Sequence, residues 1–207
     1  MRPTCKRCLR PIAFCVCAEL PVIASRTRVV LLQHPREARL AICSAWLTRI
    51  ALENAELHRG FRFGDHPRVR ELVASPGTAL LYPGDGATPV SACVETPPRV
   101  LVVIDGTWVQ SGKMLAANPR IAALPRVSVR PEWASGYLDL RREPAPHCLS
   151  TIEAVACALG VLEHDVARYE PMRAAFHVMV ERQLACSRDG RRNPRHRRSR
   201  AAVRSAM

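Results

Sequence analysis

The stretch PRVLVVIDGTWVQSGKM, residues 98–114, limits what this chain can fold into more than any other. Residues 99–104 form a short, nearly continuous apolar and β-branched run, the pattern of a strand buried on both faces of a parallel sheet. The run ends at Asp105-Gly106. An acid there sits at the carboxyl end of its strand, where open α/β sheets place their ligands. Thr107 predicts the cap of a helix over 107–117 that stops at Asn118-Pro119, with Lys113 about two turns along it. Asp105 therefore has two readings, a reacting carboxylate or a strand-end acid satisfied by local bonds. Thr107 and Trp108 likewise read as site residues or as a cap and a core anchor.

The rest of the chain repeats the strand-then-helix order. RVVLLQ, Arg28–Gln33, reads as a first strand ended by His34-Pro35, and a helical apolar pattern follows over 38–56 through Leu40, Cys43, Trp46, Leu47 and Ile50. His34 on its own is an ordinary loop histidine, since nothing near it in sequence completes a metal site or triad. A weaker strand over 57–63, a short helix Pro67–Ala74 and the strand TALLY over 78–82 come next. After TALLY, Pro83-Gly84-Asp85-Gly86 is a turn without the spacing of a nucleotide-binding glycine motif. A short strand over 126–129, an arginine pair at Arg141-Arg142 and a proline-rich loop lead to Ser150 and Glu153, a capping box for a helix Thr151–Leu162. That helix N-terminus would present free N–H groups suited to a carboxylate. A long helix over 165–185 closes the body. The pattern predicts an α/β fold, a mostly parallel sheet with helices on both faces.

Cys5, Cys8, Cys15 and Cys17 give C-x2-C-x6-C-x-C at the amino end. Four thiolates so close would close a tetrahedral zinc site with no open position, hence a structural one. The N-terminal residues carry Arg, Cys, Lys and Pro where a signal peptide needs an apolar core, and no apolar run is long enough for a bilayer. A cytoplasmic chain is expected, and its nine cysteines then read as metal ligands or buried thiols, not disulfides. The formal charge of +13 is uneven: residues 188–204 hold eight Arg against one Asp, a balance of +7, which leaves +6 for the rest. This basic end lacks the apolar content to fold, and the charge points to nucleic acid ahead of membrane because no apolar helix face accompanies it. The expected divisions are an N-terminal knuckle over 1–24, a catalytic domain over 25–185 and a basic disordered tail over 186–207.

Several blocks together resemble the DTW-domain family, the tRNA-uridine aminocarboxypropyltransferases: the cysteine cluster, LQHPRE at 32–37, LYPG at 81–84, DGTW at 105–108 with KML following, YLDLRREP at 137–144 and LSTIEA at 149–154. The resemblance implies a SPOUT-like fold with a C-terminal trefoil knot. It also implies transfer of the 3-amino-3-carboxypropyl group of S-adenosylmethionine to N3 of a uridine in tRNA, leaving 5′-methylthioadenosine. On this reading Asp105 takes or orients the uridine N3 proton. The cofactor would lie among three loops, at Leu81, Pro83 and Gly84, at Ile104, Thr107 and Trp108, and at Leu149, Ser150 and Thr151. Lys113, Arg141 and Arg142 would meet RNA, and a monomer without an obligate protein partner is expected. The alternatives are a SPOUT-type methyltransferase using the same cofactor and a non-enzymatic zinc-knuckle RNA-binding protein.

Overall fold

The computed structural model describes residues 3–40, 42–130, 135–137 and 149–188. Its strands are β1 Arg28–Gln33, β2 Glu56–Arg59, β3 Thr78–Leu81, β4 Thr88–Pro89, β5 Val100–Asp105 and β6 Arg126–Ser128. All six pair in parallel within one sheet of order β2-β1-β5-β3-β6-β4. The helices are α1 Ser44–Ala51, α2 Pro67–Ala74, α3 Trp108–Ala116, α4 Pro119–Ala122, α5 Thr151–Leu162 and α6 Val166–Arg188.

The apolar strand runs divide by parity. Val29, Leu31, Leu101, Val103, Ala79 and Leu81 pack on one face with α1, α5 and α6. Val30, Leu32, Val100, Val102 and Leu80 pack on the other with α2, α3 and α4. Successive strand residues point to opposite faces, so a sheet covered on both sides needs apolar residues at every position. α5 is apolar almost all round, as a helix wedged between the sheet, α1 and α6 must be. Parallel strands also put every carboxyl end at one edge. There Gln33 of β1 and Asp105 of β5 are direct register partners.

The cysteine-bearing segment is not a separate body. Cys8, Val16 and Leu20 belong to the same core cluster as α1, α5 and α6. Trp46 Nε1 of α1 donates to Arg7 O at 2.9 Å, and Arg10 Nη2 donates to Gln183 Oε1 of α6 at 3.4 Å.

The helix expected over 38–56 is shorter and starts later. Residues Glu37–Arg39 make one 3-10 turn, Leu40 and Cys43 are extended, and only Ser44–Ala51 is α-helical. At its far end Leu52 leaves the helix to bridge Ile23 in parallel, with Ile23 N donating to Ala51 O at 2.8 Å. Tertiary pairing thus overrides helix periodicity at both ends. Leu40, expected on the apolar stripe, is 44% exposed instead. The 57–63 strand shrinks to Glu56–Arg59, and the two-residue β4 is too short to leave any alternation in the sequence.

Candidate active site and metal centre

Asp105 ends β5 and is 6% exposed. Gln33 Nε2 donates to its Oδ2 at 2.8 Å, and Thr151 Oγ1, from the first turn of α5, donates to its Oδ1 at 2.6 Å. Gln33 has its orientation fixed from behind, because Arg59 Nε donates to its Oε1 at 3.1 Å and leaves the amide nitrogen to face Asp105. The same nitrogen lies 3.0 Å from Cys43 Sγ. Burial raises the Cys43 thiol pKa, and the nearby Asp105 charge adds to the rise, so this cysteine is an inert acceptor at the site's inner wall. The carboxylate is therefore clamped between β1 and α5.

The segments that follow β3 and β5 bring two rings together. Trp108 is 39% exposed, so it is no core anchor, and it meets Tyr82 edge-on with centroids 5.7 Å apart. Arg126 lies over the other ring, its guanidinium carbon 5.8 Å from the Tyr82 centroid. Burial raises the Tyr82 phenol pKa. Gly84, just after Tyr82, has φ +144, and a Cβ there would come within 3.4 Å of Arg126 Nη1, so glycine keeps this rim low. An exposed indole three residues after a buried carboxylate offers a planar group a surface to stack on in the segment that follows the acid.

Two helix N-termini face the same edge. Thr107 and Gln110 form a capping box for α3, and Ser150 and Glu153 form one for α5. Each box uses the N–H of the cap and of the third helical residue. The intervening N–H groups, of Thr151 and Ile152 in α5, have no intrahelical partner and point along the axis at the site. Glu153 is fully buried and accepts from Ser135 Oγ at 2.7 Å, Gly136 N at 2.7 Å and Ser150 N at 2.9 Å. His177 Nε2 of α6 stands 3.7 Å from it. A Cβ on Gly136 would come within 2.2 Å of the His177 ring, so a larger residue there would push the imidazole aside.

The thiols of Cys5, Cys8, Cys15 and Cys17 lie within 4.8 Å of one another. Cys5 Sγ is 3.6 Å from Cys17 Sγ, and Cys8 Sγ is 3.8 Å from Cys15 Sγ. Sulfurs about 2.3 Å from a tetrahedral ion would stand about 3.8 Å apart, close to these two separations, so the four thiols suit such an ion. The backbone N–H groups of Cys8 and Arg7 turn toward Cys5 and bring its thiol pKa down to about 6. Leu9 closes that turn at φ 59.

The DTW-domain sequence profile matches residues 2–184. This chain belongs to the DTW family. Among curated relatives, tRNA-uridine aminocarboxypropyltransferase 2 of Drosophila melanogaster is 32% identical over 191 residues, covering 88% of this chain and 76% of that protein. The enzyme of the same name from Mus musculus is 30% identical over 192 residues, 88% of this chain and 64% of its own length. tRNA-uridine aminocarboxypropyltransferase A of Arabidopsis thaliana is 29% identical over 211 residues, 87% and 79% respectively. No solved structure matches.

In this DTW chain, Asp105, Thr107, Trp108, Ser150 and Thr151 gather at one sheet edge, with Pro83 and Gly84 exposed beside them. Ile104 and Leu149 are half-buried there, whereas Leu81 is buried in the core. The Ser150 hydroxyl is taken up by the α5 cap. Lys113 is exposed on α3, away from its N-terminus. Arg141, Arg142 and the arginine-rich end lie outside the described residues. His34 plays a loop role: its N–H donates to Asp105 O at 2.8 Å and its ring packs edge-on to Phe61. Gln33, Arg59, Tyr82 and Arg126 went unnoticed in the sequence. The signal for Gln33 and Tyr82 was available, since each is the polar or aromatic last letter of an apolar strand run.

Proposed function

We propose that this chain transfers the 3-amino-3-carboxypropyl group of S-adenosylmethionine to N3 of a uridine in tRNA, giving acp3U and 5′-methylthioadenosine. The observation that carries the reading is the clamped Asp105 at the carboxyl edge of the sheet, followed by an exposed Trp108, in a chain whose relatives bear the name of this activity. When bound, S-adenosylmethionine supplies a sulfonium that activates three carbons. The protein's own task is positional. The N–H groups at the start of α5 suit the methionyl carboxylate, and Tyr82 and Trp108 offer ring faces to a base. Pro83, Gly84, Ile104, Thr107 and Leu149 are the remaining walls of this site, and Leu81 supports them only from the core. Asp105, with the Thr151 hydroxyl at 2.6 Å, takes or orients the N3 proton as the N3–carbon bond forms and the carbon–sulfur bond breaks.

The finer architecture belongs to the same reading. An all-parallel sheet is consistent with a SPOUT-like domain over 25–185 whose C-terminal segment forms a trefoil knot. The four thiolates hold structural zinc in a knuckle over 1–24. Lys113, Arg141, Arg142 and the arginine-rich end beyond 185 contact RNA, and the protein works as a cytoplasmic monomer. Incubation with S-adenosylmethionine and bulk tRNA, followed by nucleoside mass spectrometry, should yield uridine carrying the aminocarboxypropyl group. A methyl gain would make the chain a methyltransferase. No transfer despite tRNA binding would leave a zinc-knuckle RNA-binding protein.

A further inference from the structure

The loops after β1 and β2 carry a second feature that the chemistry above does not use. Arg36 and Arg39 follow β1, Arg59 and Arg62 end and follow β2, Arg70 lies on α2 and Arg120 on α4, all exposed. Arg59 bonds Gln33 and lies 5.8 Å over the Trp46 ring. None of the other five has a carboxylate within ion-pair distance among the described residues. Neighbouring arginines behave differently: Arg68 and Arg28 are taken up by Glu56 at 2.6 and 2.8 Å. With 31 Lys and Arg against 18 Asp and Glu, many cations must go without an acid, so what sets these five apart is that they share the neighbourhood of the β1 and β2 loops, α2 and α4, where their fields add.

Named contacts hold these loops together. Gly60 N donates to Gln33 O at 3.0 Å, and the Phe61 ring packs on His34 with centroids 5.9 Å apart. On the other side the Asn118 side chain donates to Phe61 O at 2.8 Å and accepts from Phe63 N at 2.7 Å. The 60–66 loop is thus pinned between the β1 loop and the α3–α4 junction, and the arginines ride on a fixed frame. At the far end a pocket of about 380 Å³ opens between α2 and α4, with Phe63, Val69, Val73 and Ile121 in its lining, Arg70 and Arg120 beside them, and Asp65 as its one acid. The Asn118 amide N–H groups are both spent, on Phe61 O and Met114 O, so this side chain has no donor left for reading base edges.

We infer that this edge is a docking surface for the RNA backbone flanking the target nucleotide, with an unstacked nucleotide seated in the α2–α4 pocket. The inference rests on the tRNA activity proposed above and deepens it. The chemistry favours RNA over other polyanions in three ways. The cations are all arginine, whose planar fork pairs with phosphate oxygens in bidentate fashion. The edge begins at the active acid, because Arg59 is one hydrogen bond from Gln33 and Gln33 one from Asp105. The pocket's floor is apolar and Arg70 and Arg120 stand at its rim, which suits a splayed base held by shape and by guanidinium contact, since Phe63 is too buried to stack on it. A phosphate-binding edge of this kind orients the substrate and leaves the choice of base to the site itself.

The test is tRNA binding by full-length protein as a function of salt. Arg39→Ala/Arg62→Ala/Arg120→Ala removes three cations from three different loops. Arg26→Ala/Arg99→Ala removes exposed cations preceding β1 and β5, at the opposite edge of the sheet. Thermal melting should be unchanged in both. The triple variant should bind tRNA roughly tenfold or more weakly near 0.15 M salt, with the slope of log K against log salt shallower by about 2. The opposite-edge variant should keep the wild-type slope. Wild-type modification of tRNA together with an unchanged slope in the triple variant would overturn the docking surface alone. Wild-type protein that neither binds nor modifies tRNA would overturn the activity, and the surface with it.

Discussion

Asp105→Asn separates the two things this residue can do, because the amide is nearly isosteric and keeps both contacts of the clamp. Its Oδ1 can accept from Gln33, and its Nδ2 can donate to Thr151 Oγ1, since a hydroxyl both donates and accepts. What is lost is charge, the difference between charge-assisted and neutral hydrogen bonds, roughly 1 kcal/mol. Asp105→Ala removes both contacts and leaves the fully buried Gln33 amide without its carboxylate acceptor, a loss of about 2–4 kcal/mol. In a domain of this size that lowers Tm by roughly 5–15 °C, against a few degrees for Asn. If the carboxylate moves or orients the uridine proton, Asp105→Asn should lose about 100-fold to 10000-fold in transfer rate while melting almost normally. The assay is aminocarboxypropyl transfer to tRNA beside a thermal melt. An Asn variant with full transfer would sink the proton role and reduce Asp105 to a strut between β5 and α5.

Trp108→Ala should raise the Kd for S-adenosylmethionine or the KM for tRNA about 5-fold to 100-fold, the scale of one lost stacking surface, with Tm little changed because the ring is 39% exposed. Cys17→Ser should abolish bound zinc in metal analysis and lower Tm; a metal-free wild type as stable as the loaded one would remove the structural role. Glu56, brought down to about 2 by hydrogen bonds from Arg68 and Arg28, contributes stability that is present above the usual carboxylate value of 4.5 and is lost as pH falls through about 2. Stability curves of wild type and Glu56→Gln should therefore converge below about pH 2, and parallel curves down to that pH would refute the assignment.

Much of the fold was legible because it is written in local chemistry. Arg28–Gln33, Pro67–Ala74 and Thr151–Leu162 have boundaries set by Pro35, by Pro67 and by the Ser150–Glu153 box, and the chain obeys all three. The start of α1 was not legible. Leu40 and Cys43 keep helical spacing, but the backbone stays extended so that Cys43 can sit beside the Gln33 amide, a contact ten residues apart in sequence. The site shows the same division. Asp105 was visible as the acid closing an apolar run, whereas its clamp depends on strand register and on a helix 46 residues away, which no local pattern encodes. Trp108 carried an ambiguity that only burial resolves.

The cysteine-bearing segment and the last described turns of α6 pack together, which links the four thiols to the elements that hold the acid. Arg10 reaches Gln183, and Arg182 bonds Cys15 O and Glu19, so the cysteine segment is fastened to the last turns of α6. α6 packs along α5, and its His177 stands beside Glu153. Glu153 in turn ties residues 135–136 to the first turn of α5, from which Thr151 reaches Asp105. The bonds to Glu153 and Asp105 are short, at 2.6 to 2.9 Å, so the freedom of Thr151 to leave the acid is set by how firmly α5 is held against the sheet. A metal held by the four thiols would add that firmness while ordering little more chain, because the sulfurs already lie within 4.8 Å of one another. It would then brace α6 and α5, and its removal should show first as weaker ligand binding at the α5 N-terminus.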